Sequence, residues 1–174
     1  AAAHQERILQ RDRLRLAVQQ EELVLHYQPR VDLQGGGVEG VEALLRWQDP
    51  LRGLIAPGNF LPDIEHDDLI CAIGAWVLRQ ALAQQQQWQA QGTELPVSVN
   101  IAARQFLDPR FLTTLESILA EFPRRPPGGL ELEILESAAI EDTARMLQVI
   151  ASCRQLDVRF ALDDFGTGYS SLTY

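Results

Sequence analysis

The sequence predicts an α/β domain of parallel strands with helical crossovers, wound as a (β/α) barrel. Three observations predict it. Downstream of an N-terminal hairpin, strand-like apolar runs alternate with helical stretches, the order that returns each strand parallel to the last. No Gly-rich dinucleotide fingerprint follows any strand, and GTG at 166–168 is too short to be one, which weighs against an open doubly wound sheet. Successive strands carry oxygen-bearing side chains toward their C-terminal ends, where a parallel barrel gathers its functional groups.

Each element follows from its residues. Residues 5–21 read as a helix, with Ile8, Leu9, Leu16 and Val18 among Arg, Glu and Gln. LVLHYQPRVDL (23–33) reads as a strand, GGG (35–37) as a turn and VEGVEALLRW (38–47) as the second arm of a hairpin. DPLRGLIAPGNF reads as a loop. Residues 67–92 form a long helix, capped by Asp67 or Asp68 and ended by Gly92. Its QQQQ tract (84–87) reads as a solvated face. LPVSVNIA (95–102) is a strand. Residues 108–122 form a helix with Asp108 as N-cap and Pro109 at its first position. LELEIL (130–135) is a strand, 142–156 a helix and VRFALD (158–163) a strand.

Composition bounds the function. The 174 residues, 46% of them hydrophobic, suffice for one domain or a large piece of one. A net charge of −9 argues against a partner that is a nucleic acid polymer or an anionic membrane. A small phosphate ligand is compatible with it, since cations bridge carboxylates to phosphate. No apolar run approaches the ~20 residues of a membrane span, and the charged helical start is unlike a signal peptide. Cys71 and Cys153 read as reduced core thiols. The expected location is cytoplasmic, including for a membrane-anchored parent. All fifteen basic residues are arginine; there is no lysine.

The strand ends carry the chemistry. VEGVEAL brings Glu42, VSVN brings Asn100, LELEI brings Glu133 with Glu136 just beyond, and FALDD brings Asp163 and Asp164. Five carboxylates and an amide converging on one barrel mouth repel one another unless cations hold them. An all-oxygen set without His or Cys points to Mg²⁺ or Mn²⁺, with Ca²⁺ a further candidate, rather than zinc. Two such ions are a recurring device for phosphate ester hydrolysis. A single strand-end acid is more commonly a helix cap or a solvated loop residue. Spacing alone leaves both readings open.

The motifs resemble those of the EAL domain, a cyclic di-GMP phosphodiesterase family. YQP (27–29), EALLRW, PGNFLP, IGAWVL, SVNIAARQF, LEILES and DDFGTGYSSL follow the family's order from about Leu14 to Tyr174. The resemblance implies a (β/α)8 TIM-type barrel, of which this chain would hold the N-terminal two-thirds. It divides the chain into a connector helix at 1–21 and an EAL domain at 22–174, incomplete at its C-terminus. It implies that Glu42, Asn100, Glu133 and Asp163 bind a first metal, that Asp163 and Asp164 bind a second, and that Gln28 and Arg46 contact the dinucleotide. Glu136 would steady the loop Phe165 to Ser171, which the family uses for the second metal and a dimer contact. The implied activity is hydrolysis of cyclic di-GMP to linear pGpG with two Mg²⁺ or Mn²⁺ ions, and Ca²⁺ inhibitory. The catalytic set would be Glu42, Asp163 and Asp164 around a metal-held water.

The sequence departs from the family in three places. Leu135 stands where threonine is usual and Asp68 where glycine is usual. A (β/α)8 barrel takes about 250 residues, so the family's general-base lysine, a further metal-binding glutamate and a base-binding glutamine would fall outside this chain. The expectation is therefore a longer parent with linked GGDEF or sensor domains, a homodimer, and little activity from these 174 residues alone. The alternative is a catalytically inactive cyclic di-GMP receptor or scaffold that keeps the fold.

Overall fold

The computed structural model describes residues 2–135 and 142–163. Helix α1 (Ala2–Gln19) leads into strands β1 (Leu23–Val31) and β2 (Val38–Asp49), then the short β3 (Gly53–Ile55). Two single 3₁₀ turns precede α2 (Leu69–Ala90). The remainder runs β4 (Val97–Asn100), α3 (Ala103–Leu107), α4 (Phe111–Glu121), β5 (Leu130–Leu135), α5 (Thr143–Gln155) and β6 (Val158–Asp163).

These strands form one sheet in the order β1-β2-β4-β5-β6, with β3 paired to β2. β1 and β2 are the expected antiparallel hairpin. β2, β4, β5 and β6 are parallel neighbours. Each crossover advances one place and none turns back. A doubly wound sheet reverses its order at a switch point; a barrel wall does not. The TIM-type winding read from the alternation therefore holds for the described residues.

Alternation along the strands separates two faces. Val41, Ala43, Leu45 and Trp47 on β2, Val97 and Val99 on β4, and Leu130, Leu132 and Ile134 on β5 are buried. They belong to one apolar cluster with Leu78 and Leu82 of α2, Leu115 and Ile118 of α4, and Met146 and Val149 of α5. The opposite face carries Glu42, Ser98, Asn100, Glu131 and Glu133, as the pairing register requires. The helices thus cover the outer, apolar face. The polar face is left to the lumen.

Several boundaries differ from the sequence reading, each for a local reason. The presumed loop after β2 contains β3, which pairs Leu54 with Gln48; three residues are too few to show a period. α4 begins at Phe111 with Arg110 at its N-cap, so Asp108 is not the cap and Pro109 is not the first helical residue. Asp108 instead accepts the Arg110 backbone N–H at 2.8 Å. Its carboxyl is held down at a pKa of about 2 by the Arg110 side chain, then by that backbone bond. The QQQQ tract is not wholly solvated. Gln85 is buried, and its Nε2 donates to Leu95 O at 2.8 Å and Gly129 O at 2.7 Å, tying α2 to the approaches of β4 and β5.

Helix α1 is fastened to the barrel wall. Leu14 and Ala17 are fully buried. Arg13 donates to Glu22 Oε2 at 2.7 Å, and Trp47 Nε1 donates to the same oxygen at 2.9 Å. Arg13 and Arg52 also lie over the Trp47 ring, 5.2 and 4.9 Å from its centroid, in cation–π range. On α2, Gly74 leaves room for Gln105 of α3. A Cβ there would run into the Gln105 amide.

Candidate functional site

Register brings the strand-borne candidates to one face. Gln28 on β1 pairs with Glu42 on β2, Glu42 pairs with Ser98 on β4, and Asn100 pairs with Glu133 on β5. Cross-strand partners project from the same side of a sheet, so Gln28, Glu42, Asn100 and Glu133 share the lumen face. Asp163 ends β6 opposite Leu135, two residues beyond Ala161, the partner of Glu133. Its backbone therefore has the same parity. Glu136, Asp164 and the loop Phe165 to Ser171 lie outside the described residues.

Asn100 Nδ2 donates to Glu42 Oε1 at 2.9 Å. This bond orients the amide, and no hydrogen bond to its Oδ1 is made among the described residues. Glu133 is buried. Its carboxyl is pushed above the usual carboxylate range, by burial first and the nearby Glu42 charge second. Such a shift marks a site where negative charge is concentrated and poorly hydrated.

Glu42 is not at the end of its strand. β2 continues to Asp49, while its parallel ladder with β4 spans only Val41–Ala43. Glu42 therefore marks where the parallel wall stops, and β2 runs on past it, held by β1 and β3. Arg46 lies four residues further along the same face, ~13 Å at strand rise. It is half-buried, and its Nη1 donates to Leu45 O at 2.7 Å. Gln28 is exposed beside Glu42. His66, in the loop before α2, is exposed and lies 3.3 Å from the carboxylate of its neighbour Glu65.

The sequence reading missed an ion network beneath these residues. Arg30 Nη1 donates to Glu131 Oε1 at 2.8 Å and to Glu133 Oε1 at 3.0 Å. Ser98 Oγ donates to Glu131 Oε1 at 2.9 Å. Arg30 sits on β1, and its cross-strand partner is Gly40. A Cβ at Gly40 would lie 3.0 Å from Pro96 O and 3.6 Å from Arg30 Nη2. With no side chain at Gly40, the arginine crosses β2 and reaches the carboxylates of β5. Parity held the signal: Arg30 is two residues from Gln28, and Glu131 two from Glu133.

Among the described residues, no three His, Cys, Asp or Glu side chains converge as a metal cage. Glu42, Glu133 and the Asn100 amide are what they contribute. A cleft lined by Glu131, Arg154, Asp157, Val158, Arg159 and Phe160 opens near the start of β6 and includes none of the predicted site residues.

A parallel barrel wall with carboxylates gathered on its lumen face defines a class of enzyme-like domains, and comparison narrows it. The EAL domain model matches residues 11–174, so the chain belongs to the EAL domain family. It is 43% identical over 162 residues to the cyclic di-GMP phosphodiesterase PdeR of Escherichia coli strain K12, covering 92% of this chain and 24% of PdeR. It is 42% identical over 162 residues to the bifunctional diguanylate cyclase/cyclic di-GMP phosphodiesterase MucR of Pseudomonas aeruginosa, covering 92% of this chain and 24% of MucR. Among solved structures it resembles the MucR phosphodiesterase in complex with c-di-GMP, with TM-score 0.86 and 41% identity, covering 94% of this chain and 66% of that one. It also resembles the EAL enzyme Bd1971 in a form bound to cAMP and cyclic di-GMP, with TM-score 0.85 and 32% identity, covering 99% and 48%. The chain spans about a quarter of the length of these curated relatives. No helix among the described residues is long and apolar enough to cross a membrane.

Proposed function

We propose that this chain carries the metal-binding half of a cyclic di-GMP phosphodiesterase site, in a protein that hydrolyses cyclic di-GMP to linear pGpG. The observation that carries the reading is the grouping of Glu42, Asn100 and Glu133 on one lumen face, in a chain of the EAL family.

The donor set suits a hard divalent ion. It is all oxygen, one carboxylate is desolvated beside another, and the Asn100 amide gives its nitrogen to Glu42, which leaves its oxygen for a cation among the described residues. Glu42, Asn100, Glu133 and Asp163 would hold one Mg²⁺ or Mn²⁺, and Asp163 with Asp164 a second. When bound, the pair would supply water activation and neutralise charge on the phosphate. The chain's own residues set the geometry around that chemistry. Asn100 fixes the Glu42 carboxylate through its amide. Gln28, level with Glu42, would orient the substrate from β1. Arg46, further along β2, would grip phosphate oxygens with its paired N–H donors. Glu136 would support the loop that follows Asp164.

Catalysis is assigned to Glu42, Asp163 and Asp164. Ca²⁺ would occupy the oxygen ligands and inhibit, because its looser coordination aligns the reacting groups poorly. The likeness to a bifunctional relative supports a linked diguanylate cyclase or sensor domain in the full-length protein. A homodimer completes the reading and is checked by light scattering.

The test is hydrolysis of cyclic di-GMP by the full-length protein in Mn²⁺, Mg²⁺ or Ca²⁺, beside Glu42→Ala. The expected result is turnover in the first two ions, none in Ca²⁺, and none in the variant. Equal rates in wild type and Glu42→Ala would refute it.

A further inference from the structure

Arg30 places a positive charge on an oxygen that the proposed site would offer to a metal. One guanidinium nitrogen serves two acceptors, Glu131 Oε1 at 2.8 Å and Glu133 Oε1 at 3.0 Å. The two carboxylates are not equivalent. Glu131 has a second donor, the Ser98 hydroxyl at 2.9 Å, and has no place among the proposed metal ligands. Glu133 is buried and faces the charge of Glu42. The arginine is the cation that offsets this crowding.

We propose that Arg30 is the built-in counter-cation of this site: it holds Glu133 in the metal-free protein and yields it to a divalent ion, staying tethered to Glu131. The proposal rests on the metal-site reading above. Three features of the chain support it. Glu133 is buried beside Glu42, where an ionised carboxylate is costly unless a cation is paired with it. A guanidinium released from Glu133 keeps an acceptor, because Glu131 is already the nearer of its two partners. The bare Gly40 opposite Arg30 leaves the side chain a path across β2. Arg30 is thus a positioning residue that sets metal affinity, since a fixed positive charge beside a ligand oxygen opposes an incoming dication.

The test is a calorimetric titration of the full-length protein with MnCl₂, paired with thermal melting in EDTA. Arg30→Gln removes the charge and retains an amide donor. It is expected to bind Mn²⁺ at least tenfold more tightly than wild type and to melt at a lower temperature in EDTA. Arg30→Lys keeps the charge and is expected to stay within threefold of wild-type affinity. Unchanged or weaker binding by Arg30→Gln overturns the proposal, as does a shift in Arg30→Lys equal to that in Arg30→Gln. Should Arg30→Gln fail to fold, Glu131→Gln gives the answer. With its tether weakened, Arg30 remains on Glu133, so Mn²⁺ affinity is expected to drop at least fivefold, and an unchanged affinity overturns the proposal. A wild type that binds no Mn²⁺ overturns the metal-site reading and this inference together. A wild type that binds and hydrolyses, with Arg30→Gln no tighter, overturns this inference alone.

Discussion

Asn100 at the end of β4 donates its amide to Glu42 on β2 at 2.9 Å, across two strands that pair in parallel only at Val41–Ala43. The bond does two things. It fixes one carboxylate oxygen, and it turns the amide so that its own oxygen is the atom left over. Asn100→Ala is expected to lower kcat at least a hundredfold while leaving the fold intact, because it removes a donor atom and frees Glu42. Far-UV circular dichroism and steady-state hydrolysis of cyclic di-GMP check this. A kcat within threefold of wild type would show that Asn100 is only a strand-end cap.

Gln28 and Arg46 are predicted to act on substrate rather than on metal. Gln28 is level with Glu42, and Arg46 is ~13 Å further along the same face. Gln28→Ala and Arg46→Ala are each expected to raise KM about tenfold or more, a loss of ~1.4 kcal/mol or greater in binding. Mn²⁺ affinity should stay unchanged. A metal affinity that falls in step with KM would place these side chains in the metal site instead.

Gln85 carries a structural prediction. Its Nε2 serves two backbone carbonyls, Leu95 O and Gly129 O, while its Oε1 has no partner among the described residues. Gln85→Leu removes both hydrogen bonds and also the unpartnered oxygen, so the losses are partly offset. The expected destabilisation is about 2 kcal/mol, read from urea denaturation followed by tryptophan fluorescence. A change below ~0.5 kcal/mol would mean that the carbonyls find other donors.

Cys153 makes an alkaline signature. Burial raises its thiol from 9.0 to about 11. The unfolded chain therefore loses this proton first as pH rises. Folded stability from this group is fully present below pH 9 and is lost as pH climbs from 9 through 11. Cys153→Val keeps the packing and removes the titration. Urea midpoints should fall more steeply for wild type than for the variant across that window. Parallel curves would contradict the assignment.

Much of this architecture was legible in the sequence because it rests on local periodicity. The β1–β2 hairpin, the parallel β4, β5 and β6, and the helices between them each announce themselves through apolar spacing and turn residues. Glu42, Asn100 and Glu133 were legible as polar residues in or beside apolar strands. What was not legible depends on residues distant in sequence. Arg30 and Glu133 are 103 positions apart, and nothing near either one names the other. Gln85 reads as surface because its neighbours Gln86 and Gln87 are surface; only docking of α2 against the β4 and β5 approaches buries it. β3 is too short to have a pattern, and β2 runs on to Asp49, past the apolar stretch that ends at Trp47.

The most direct measurement is the fate of cyclic di-GMP itself. The full-length protein is incubated with cyclic di-GMP and Mn²⁺, and the nucleotides are separated by chromatography. The account predicts a pGpG peak that EDTA abolishes and added Mn²⁺ restores. Cyclic di-GMP that persists unchanged, in a protein shown by titration to bind it, would contradict the account and make the domain a receptor.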